Sequence, residues 1–216
     1  MQVLKKLPKN IEGRDFVVGD IHGEFNLFQD KLTEVDFNPL IDRVISVGDL
    51  IDRGPDNVKC LELLDRPWFH AVVGNHEDFM FQCVLGASLV GSNYWYPNGG
   101  DWSKDIPEAY LKSLAKLAWD KMSVAIEIDR GDKSIGFTHA APPRGYWDEE
   151  SLKDYNHLLW DRSMIKSKFL GPTKDIYHTY HGHTPIKGTV TKANMTWLDT
   201  GAVYQKQGGY LTILQV

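Results

Sequence analysis

The sequence predicts an α/β protein whose first half carries a parallel sheet. Short apolar runs ending in glycine recur at Phe16-Val17-Val18-Gly19, Ile45-Ser46-Val47-Gly48 and Ala71-Val72-Val73-Gly74. Segments with helical spacing lie between and after them. That order, strand–helix repeated three times, implies right-handed crossovers and parallel pairing. Past residue 120 the pattern changes. Val124, Ile126 and Ile128 alternate, Arg130-Gly131-Asp132 reads as a turn, and Ser134 to Thr138 follows as a returning strand. This is a hairpin signature, so the second half is expected to be more antiparallel. With 216 residues, 42% of them hydrophobic and 25% charged, the chain is long enough for one full core. No linker interrupts it, and a single domain over residues 1–216 is the expectation.

Taken in order, residues 1–13 read as an extended lead-in closed by Glu12-Gly13, and Phe16 to Val18 as a strand. Glu24 to Val35 is expected to be helical, with Phe25, Phe28 and Leu32 on one face. Pro39 and Asp42 mark a turn before a strand at Val44 to Val47. Pro55 stands where a helix would start, and Val58, Leu61 and Leu64 continue its apolar face up to Pro67. Phe69 to Val73 is the third strand, and a helix is expected from Glu77 to about Leu89. Residues 91–101 form a loop rich in Gly, Asn, Tyr and Trp, and Glu108 to Lys121 is amphipathic. Residues 140–175 read as loop with one short helix around Ser151 to Arg162. Tyr177 to Tyr180, Met195 to Leu198 and Tyr210 to Leu214 supply the remaining strands.

Composition excludes several classes. The net charge is −5 and no long basic run is present, so there is no electrostatic footprint for nucleic acid. Apolar stretches fall short of the ~18 residues that a membrane span needs. The first residues lack an apolar leader pattern. Cys60 and Cys83 lie in helix-like apolar contexts, and a reduced, cytoplasmic compartment is the simplest expectation. A monomer is expected.

The chemistry sits at the strand edges. Asp20 and His22 follow the first strand two residues apart, so both side chains can reach one cation. Asp49 follows the second strand and offers a carboxylate able to bridge two cations. Asn75 follows the third and offers a neutral oxygen. His139 and His183 each follow a short strand-like run. Carboxylate, amide and imidazole together suit Mn, Fe or Zn; the set is too nitrogen-rich for Ca and lacks the thiolates of a structural Zn site. No phosphate-cradling glycine motif and no Ser or Cys nucleophile elbow is present.

Gly19-Asp20-Ile21-His22-Gly23, Gly48-Asp49-Leu50-Ile51-Asp52-Arg53-Gly54, Gly74-Asn75-His76-Glu77, His139-Ala140 and Gly182-His183-Thr184-Pro185 together resemble the phosphoprotein phosphatase family of calcineurin-like metallophosphoesterases. The likeness is to its small bacterial and lambda-phage-type serine/threonine protein phosphatases. It extends to Asn98-Gly99-Gly100-Asp101-Trp102 and Asp199-Thr200-Gly201-Ala202-Val203, and covers residues 14–216. The resemblance implies a central β-sandwich flanked by helices, with two divalent metal ions at the strand edge. Mn is the family expectation, with Fe or Zn as alternatives. Asp20, His22 and Asp49 would hold one ion. Asp49, Asn75, His139 and His183 would hold the other. A hydroxide bridging the two would attack phosphorus directly, without a covalent phospho-enzyme. Arg53 and Arg162 would grip the phosphate. His76, oriented by Asp52, would protonate the leaving oxygen. The implied substrates are phosphorylated proteins or peptides, on serine or threonine and also on tyrosine.

One residue departs from the pattern. Close relatives carry Arg before Gly-Asn-His-Glu, where this chain has Val73. Dinucleoside tetraphosphate hydrolases of the same family also lack that Arg, which makes them the rival reading. A non-catalytic metal-binding scaffold is the rival of another class. If the missing charge matters, Val73→Arg would improve phosphomonoester use. Tyr94, Trp95 and Tyr96 are read as either a groove lining or a lid over the core. His70, His157, His178 and His181 are read as surface residues or supports, with His181 placed to tune His183.

Overall fold

The computed structural model describes residues 1–86, 93–131 and 133–216. Among these residues, ten strands form two sheets. The first contains β2 (Asp15–Val18), β3 (Arg43–Ser46), β4 (Phe69–Ala71) and β10 (Ile213–Gln215), in the order β10-β2-β3-β4. The second contains β1 (Gln2–Leu7), β5 (Ser123–Asp129), β6 (Ser134–Phe137), β7 (His178–His181), β8 (Val190–Lys192) and β9 (Met195–Trp197), in the order β1-β5-β6-β7-β9-β8. As predicted, β2, β3 and β4 are parallel, with Phe16 opposite Val44 and Val44 opposite Phe69.

Each of these parallel strands is covered on both faces, which is why their sequences read as continuous apolar runs rather than alternations. Val17, Ile45 and Val47 face the second sheet and pack with Leu7, Ile126, Ile128, Ile135 and Phe137. Phe16, Val18 and Val44 face the other way. They meet Phe28 and Leu32 of α1 (Phe25–Glu34), and Cys60 and Leu61 of α2 (Asn57–Glu62). Burying a Val, Leu, Ile or Phe side chain contributes roughly 1.5–3 kcal/mol, so these two interfaces hold the layers together.

The second half departs from the expected antiparallel arrangement. β5–β6 is the predicted hairpin and β8–β9 is antiparallel, but β1–β5, β6–β7 and β7–β9 are parallel. For β6–β7 the reason lies in residues 140–175. That connection carries the chain back to the start of the sheet, and a long return is what parallel pairing requires. It holds α5 (Tyr155–Trp160) and α6 (Ser163–Lys166) in place of the single helix expected there. The lead-in contains a full strand, β1, at the sheet edge; its lysines hid the pattern. β8 is short and polar and carried no signal. The last strand begins at Ile213, three residues later than expected.

β4 ends at Ala71 because the chain then changes partner. Val72 bridges Ser123, and the Val73 amide donates to the Ser123 carbonyl at 2.8 Å. This stitches the two sheets together beside the site. The following helix α3 (Asn75–Met80) starts two residues before Glu77 and passes into a wider turn over Phe81–Leu85. The rest of the expected helix, to Leu89, lies outside the described residues, as do Gly91 of the aromatic loop and Asp132 of the hairpin turn. The helix over Glu108–Lys121, α4, has the bounds the periodicity predicts.

Candidate active site

Five loops converge at one edge of the sandwich. They follow β2, β3, β4, β6 and β7, and each leaves the carboxyl end of its strand. Open α/β sheets place ligands at that edge. The loops bring together all ten residues singled out from the sequence.

Asp49 is the centre. Its Oδ2 lies 3.7 Å from His22 Nε2, 3.4 Å from His139 Nε2 and 3.9 Å from His76 Nε2. Two buried groups share it: His22, Asp49 and His76, and Asp49, His139 and His183. In each group the potential ligand atoms lie within 4.8 Å of one another. Asn75 Oδ1 stands between the last two histidines, 3.0 Å from His139 Nε2 and 2.8 Å from His183 Nδ1. Asp20 belongs to neither of these tight groups. It is buried beside them and accepts the His183 amide on Oδ2 at 2.9 Å.

The residues fit a pair of divalent cations. Asp20 Oδ1 is buried with no hydrogen-bond partner among the described residues, a costly state for a carboxylate that has nothing to bind. Two of the histidines, His22 and His139, are set as ligating histidines are, with one ring nitrogen donating to a backbone carbonyl. His22 Nδ1 donates to Ile51 O at 2.9 Å, and His139 Nδ1 to Val47 O at 2.8 Å. Each leaves Nε2 facing Asp49.

Burial and the shared Asp49 carboxylate dominate the electrostatics of the site. Burial pushes the Asp20 carboxyl well above the carboxylate range, reinforced by Asp199 and Asp49. Burial also acts on Asp49, but His139 and His76 overcome it and hold Asp49 well below its ordinary value. Burial depresses His22 and His183 to about 3. These are neutral imidazoles, the form that binds metal. Burial works against a charged His139 as well, yet the adjacent Asp49 outweighs it and raises that residue.

The backbone is bent to build this site. His22, Asp49, Asp52, Arg53 and His183 all have φ between 47° and 76°. Such conformations cost of order 1–3 kcal/mol each and collect at functional sites. The motif glycines answer to contact. A Cβ on Gly74 would fall on Asp49 Oδ1, and one on Gly182 on Asp20 Oδ1.

His76 and Asp52 form a buried pair. His76 Nδ1 donates to Asp52 Oδ2 at 2.6 Å, and both residues are buried. Asp52 also accepts from two indoles, Trp95 Nε1 at 2.9 Å and Trp102 Nε1 at 2.7 Å. Trp95 is therefore neither a groove lining nor a simple lid: it is buried and holds the carboxylate that orients His76. The sequence named Trp95 without this role and carried Trp102 only inside a motif; an indole meeting an acid across some forty residues leaves no local pattern. Trp95→Phe is expected to cost about 2 kcal/mol, a fall in Tm of roughly 4–8 °C, because a buried acceptor loses a donor. An unchanged melting curve would show that Asp52 is satisfied without it.

Glu77 also went unassigned. Its buried carboxylate accepts the amides of Asp49 at 3.0 Å, Leu50 at 2.8 Å and Gly74 at 2.9 Å. It ties the β3 loop to the β4 loop. Burial, then Asp49, pushes it up to about 7. Its place in Gly-Asn-His-Glu was the available signal.

Two guanidinium groups close the site. Arg53 Nη1 lies 2.7 Å from His22 Nε2, and Arg162 Nε donates to His183 Nε2 at 3.1 Å. They stand at the two ends of the Asp49-centred cluster. Val73 does not face this site. It is fully buried in the apolar cluster with Val18, Val44, Leu61 and Ala71. The expectation that an Arg there would aid turnover is replaced: Val73→Arg should destabilise the fold by about 3–5 kcal/mol, as unpaired buried charges do. A thermal melt checks this, and an unchanged Tm would show that the side chain escapes the core. His181 is also set apart from His183. It is buried among Thr138, Thr179 and Trp197, with Nε2 2.8 Å from Thr179 Oγ1. His157 is buried rather than at the surface. No helix among the described residues is long and apolar enough to cross a membrane.

Comparison with known proteins gives a consistent result. The family profile described as calcineurin-like phosphoesterase matches residues 16–195. The chain is 35% identical over 208 residues to serine/threonine-protein phosphatase 1 of Salmonella typhimurium, covering 93% of this chain and 91% of the relative. It is 34% identical over 193 residues to serine/threonine-protein phosphatase 2 of Escherichia coli, covering 87% of each. A solved protein serine/threonine phosphatase of Saccharomyces cerevisiae shares the fold, with a TM-score of 0.68 at 15% identity over 96% of this chain and 74% of that one.

Proposed function

The chain belongs to the calcineurin-like phosphoesterase family, and on that premise we propose that it is a metal-dependent phosphomonoesterase acting as a serine/threonine protein phosphatase. The observation that carries the reading is the pairing of two functions in one buried site. His22, His139 and His183 gather around the shared Asp49, and the Asp52–His76 dyad stands beside them, flanked by Arg53 and Arg162. The coverage of most of the chain by two bacterial protein phosphatases supports the substrate class.

Asp20, His22, Asp49, Asn75, His139 and His183 would hold the two divalent ions. Mn is the first candidate, and Fe or Zn suits the same donors. When bound, the ions supply Lewis-acid polarisation of the phosphate and of an attacking water. The chain's own residues do the rest. Arg53 and Arg162 bind phosphate oxygens with planar, fixed donors and set the phosphorus between them. His76 presents Nε2 toward the site, while Asp52 fixes Nδ1 as the protonated nitrogen in the neutral ring. The imidazolium form, steadied by Asp52, gives its Nε2 proton to the leaving serine or threonine oxygen. Arg53→Ala is expected to raise KM and weaken inhibition by free phosphate about tenfold or more, as removing one partner of a charge-assisted hydrogen bond does. Unchanged values would place Arg53 outside the phosphate site.

A substrate panel tests the function. Mn-reconstituted protein would be offered p-nitrophenyl phosphate, phosphoserine and phosphotyrosine peptides, and diadenosine tetraphosphate, with a chelator control. Metal-dependent release from phosphoserine peptide is the expected result. A preference for the dinucleotide would overturn the protein phosphatase reading, and silence on every substrate with metal bound would favour a scaffold.

A further inference from the structure

A polar cleft of about 340 Å³ opens beside the site, lined by Arg144, Asp154, His157, Trp160, Asp161 and Arg162, among others. Arg162 connects it to the metal centre, since its Nε donates to His183. Trp160, partly exposed, packs edge-on against both His183 and Phe79 and forms an apolar wall.

The charges in the cleft are unevenly committed. Asp161 spends its carboxylate on its own turn: Oδ1 accepts the amides of Ser163 at 2.9 Å and Met164 at 2.8 Å, and Oδ2 accepts the Ser163 hydroxyl at 2.7 Å. His157 Nδ1 also lies 3.5 Å from that Oδ2. Asp154 accepts the His157 amide at 3.2 Å. Arg144 has no such engagement among the described residues. Its nearest acid is Asp161 Oδ2 at 3.8 Å, beyond hydrogen-bond range, and its side chain is 70% exposed. A guanidinium with its donors open therefore shares one cleft with Arg162, which reaches the metal centre. Asp161 places the two close together, being the sequence neighbour of one and the nearest acid to the other.

We propose that Arg144 is a specificity residue that reads an acidic side chain flanking the phosphorylated residue of a peptide substrate. This rests on the protein phosphatase reading above. With the phosphate held at Arg53 and Arg162, an extended peptide advances ~3.3–3.6 Å per residue. The neighbouring side chains then fall along the cleft past Trp160. A carboxylate there meets the Arg144 fork in the geometry that suits bidentate pairing. Arg144 takes no part in the phosphate chemistry.

The test compares kcat/KM on two phosphoserine peptides, one with Glu and one with Lys beside the phosphoserine, for the metal-loaded native protein, Arg144→Ala and Arg144→Glu. Turnover of p-nitrophenyl phosphate serves as the internal reference. The native protein should prefer the Glu peptide by about three- to fivefold at low salt, the scale of an exposed ion pair. The preference should shrink as salt rises. Arg144→Ala should abolish it and Arg144→Glu should reverse it, all three proteins turning over p-nitrophenyl phosphate alike. Equal rates on both peptides in the native protein, or a preference that survives Arg144→Glu, would overturn the proposal while leaving the protein phosphatase reading intact. Turnover of p-nitrophenyl phosphate with no turnover of either peptide would overturn both.

Discussion

His76→Asn is expected to lower kcat by roughly 10²–10⁴-fold, the range general acid catalysis supplies, while two metal ions stay bound. The reasoning is geometric. His76 lies within reach of Asp49 and, by distance alone, could join His22 as a ligand. Its Nδ1, however, is committed to Asp52 at 2.6 Å, and Asp52 is itself fixed by two indoles. A histidine oriented this strongly through one nitrogen is built to present the other in a single direction. Asn removes the transferable proton but fills part of the space. Metal content by elemental analysis separates the two roles. Lost turnover with retained metal makes His76 the acid; loss of an ion together with turnover would make it a ligand. The deficit should also shrink for p-nitrophenyl phosphate, whose leaving group departs without help from an acid.

Asp49→Asn is expected to be more damaging, with turnover reduced on the order of 10³-fold or more. Changes in the outer shell of a metal site already cost 10–100-fold, and Asp49 is the residue both clusters share. Asn is the right probe because it tolerates the left-handed backbone at this position, where φ is 50°. It also keeps an oxygen for the His76 amide, which Asp49 Oδ1 accepts at 3.1 Å. What it removes is charge. Metal content should fall below two ions per chain, with little change in the circular dichroism of the metal-free protein. Full occupancy in Asp49→Asn would mean that the ions are held without a shared carboxylate.

The candidate ligand residues were legible because each lies in the loop that follows a strand, and for Asp20, Asp49 and Asn75 the turn from apolar run to Gly and then to a polar side chain is local. The parallel half of the fold was legible for a related reason: strands covered on both faces are apolar throughout. The edge strands of the second sheet were not. β1 carries Lys5 and Lys6, and β8 is Val190-Thr191-Lys192, so neither shows a buried face. The supports of the site were also hidden. Trp95 and Trp102 reach Asp52, and Glu77 reaches Asp49, through contacts between segments far apart in the chain or between backbone and side chain. No periodicity encodes such contacts. Val73 shows the reverse case. Its position next to Gly74 put it in the motif, yet its side chain turns to the core because successive residues at a strand end point to opposite faces.

The central claim is that turnover depends on a pair of ions sharing Asp49. The direct measurement titrates Mn into metal-free protein and follows, on one sample, ions bound per chain and phosphate released from a phosphoserine peptide. Two ions per chain are expected, with phosphate release following occupancy of the second and disappearing on chelation. Full activity with one ion bound, or activity that persists in the metal-free protein, would contradict it.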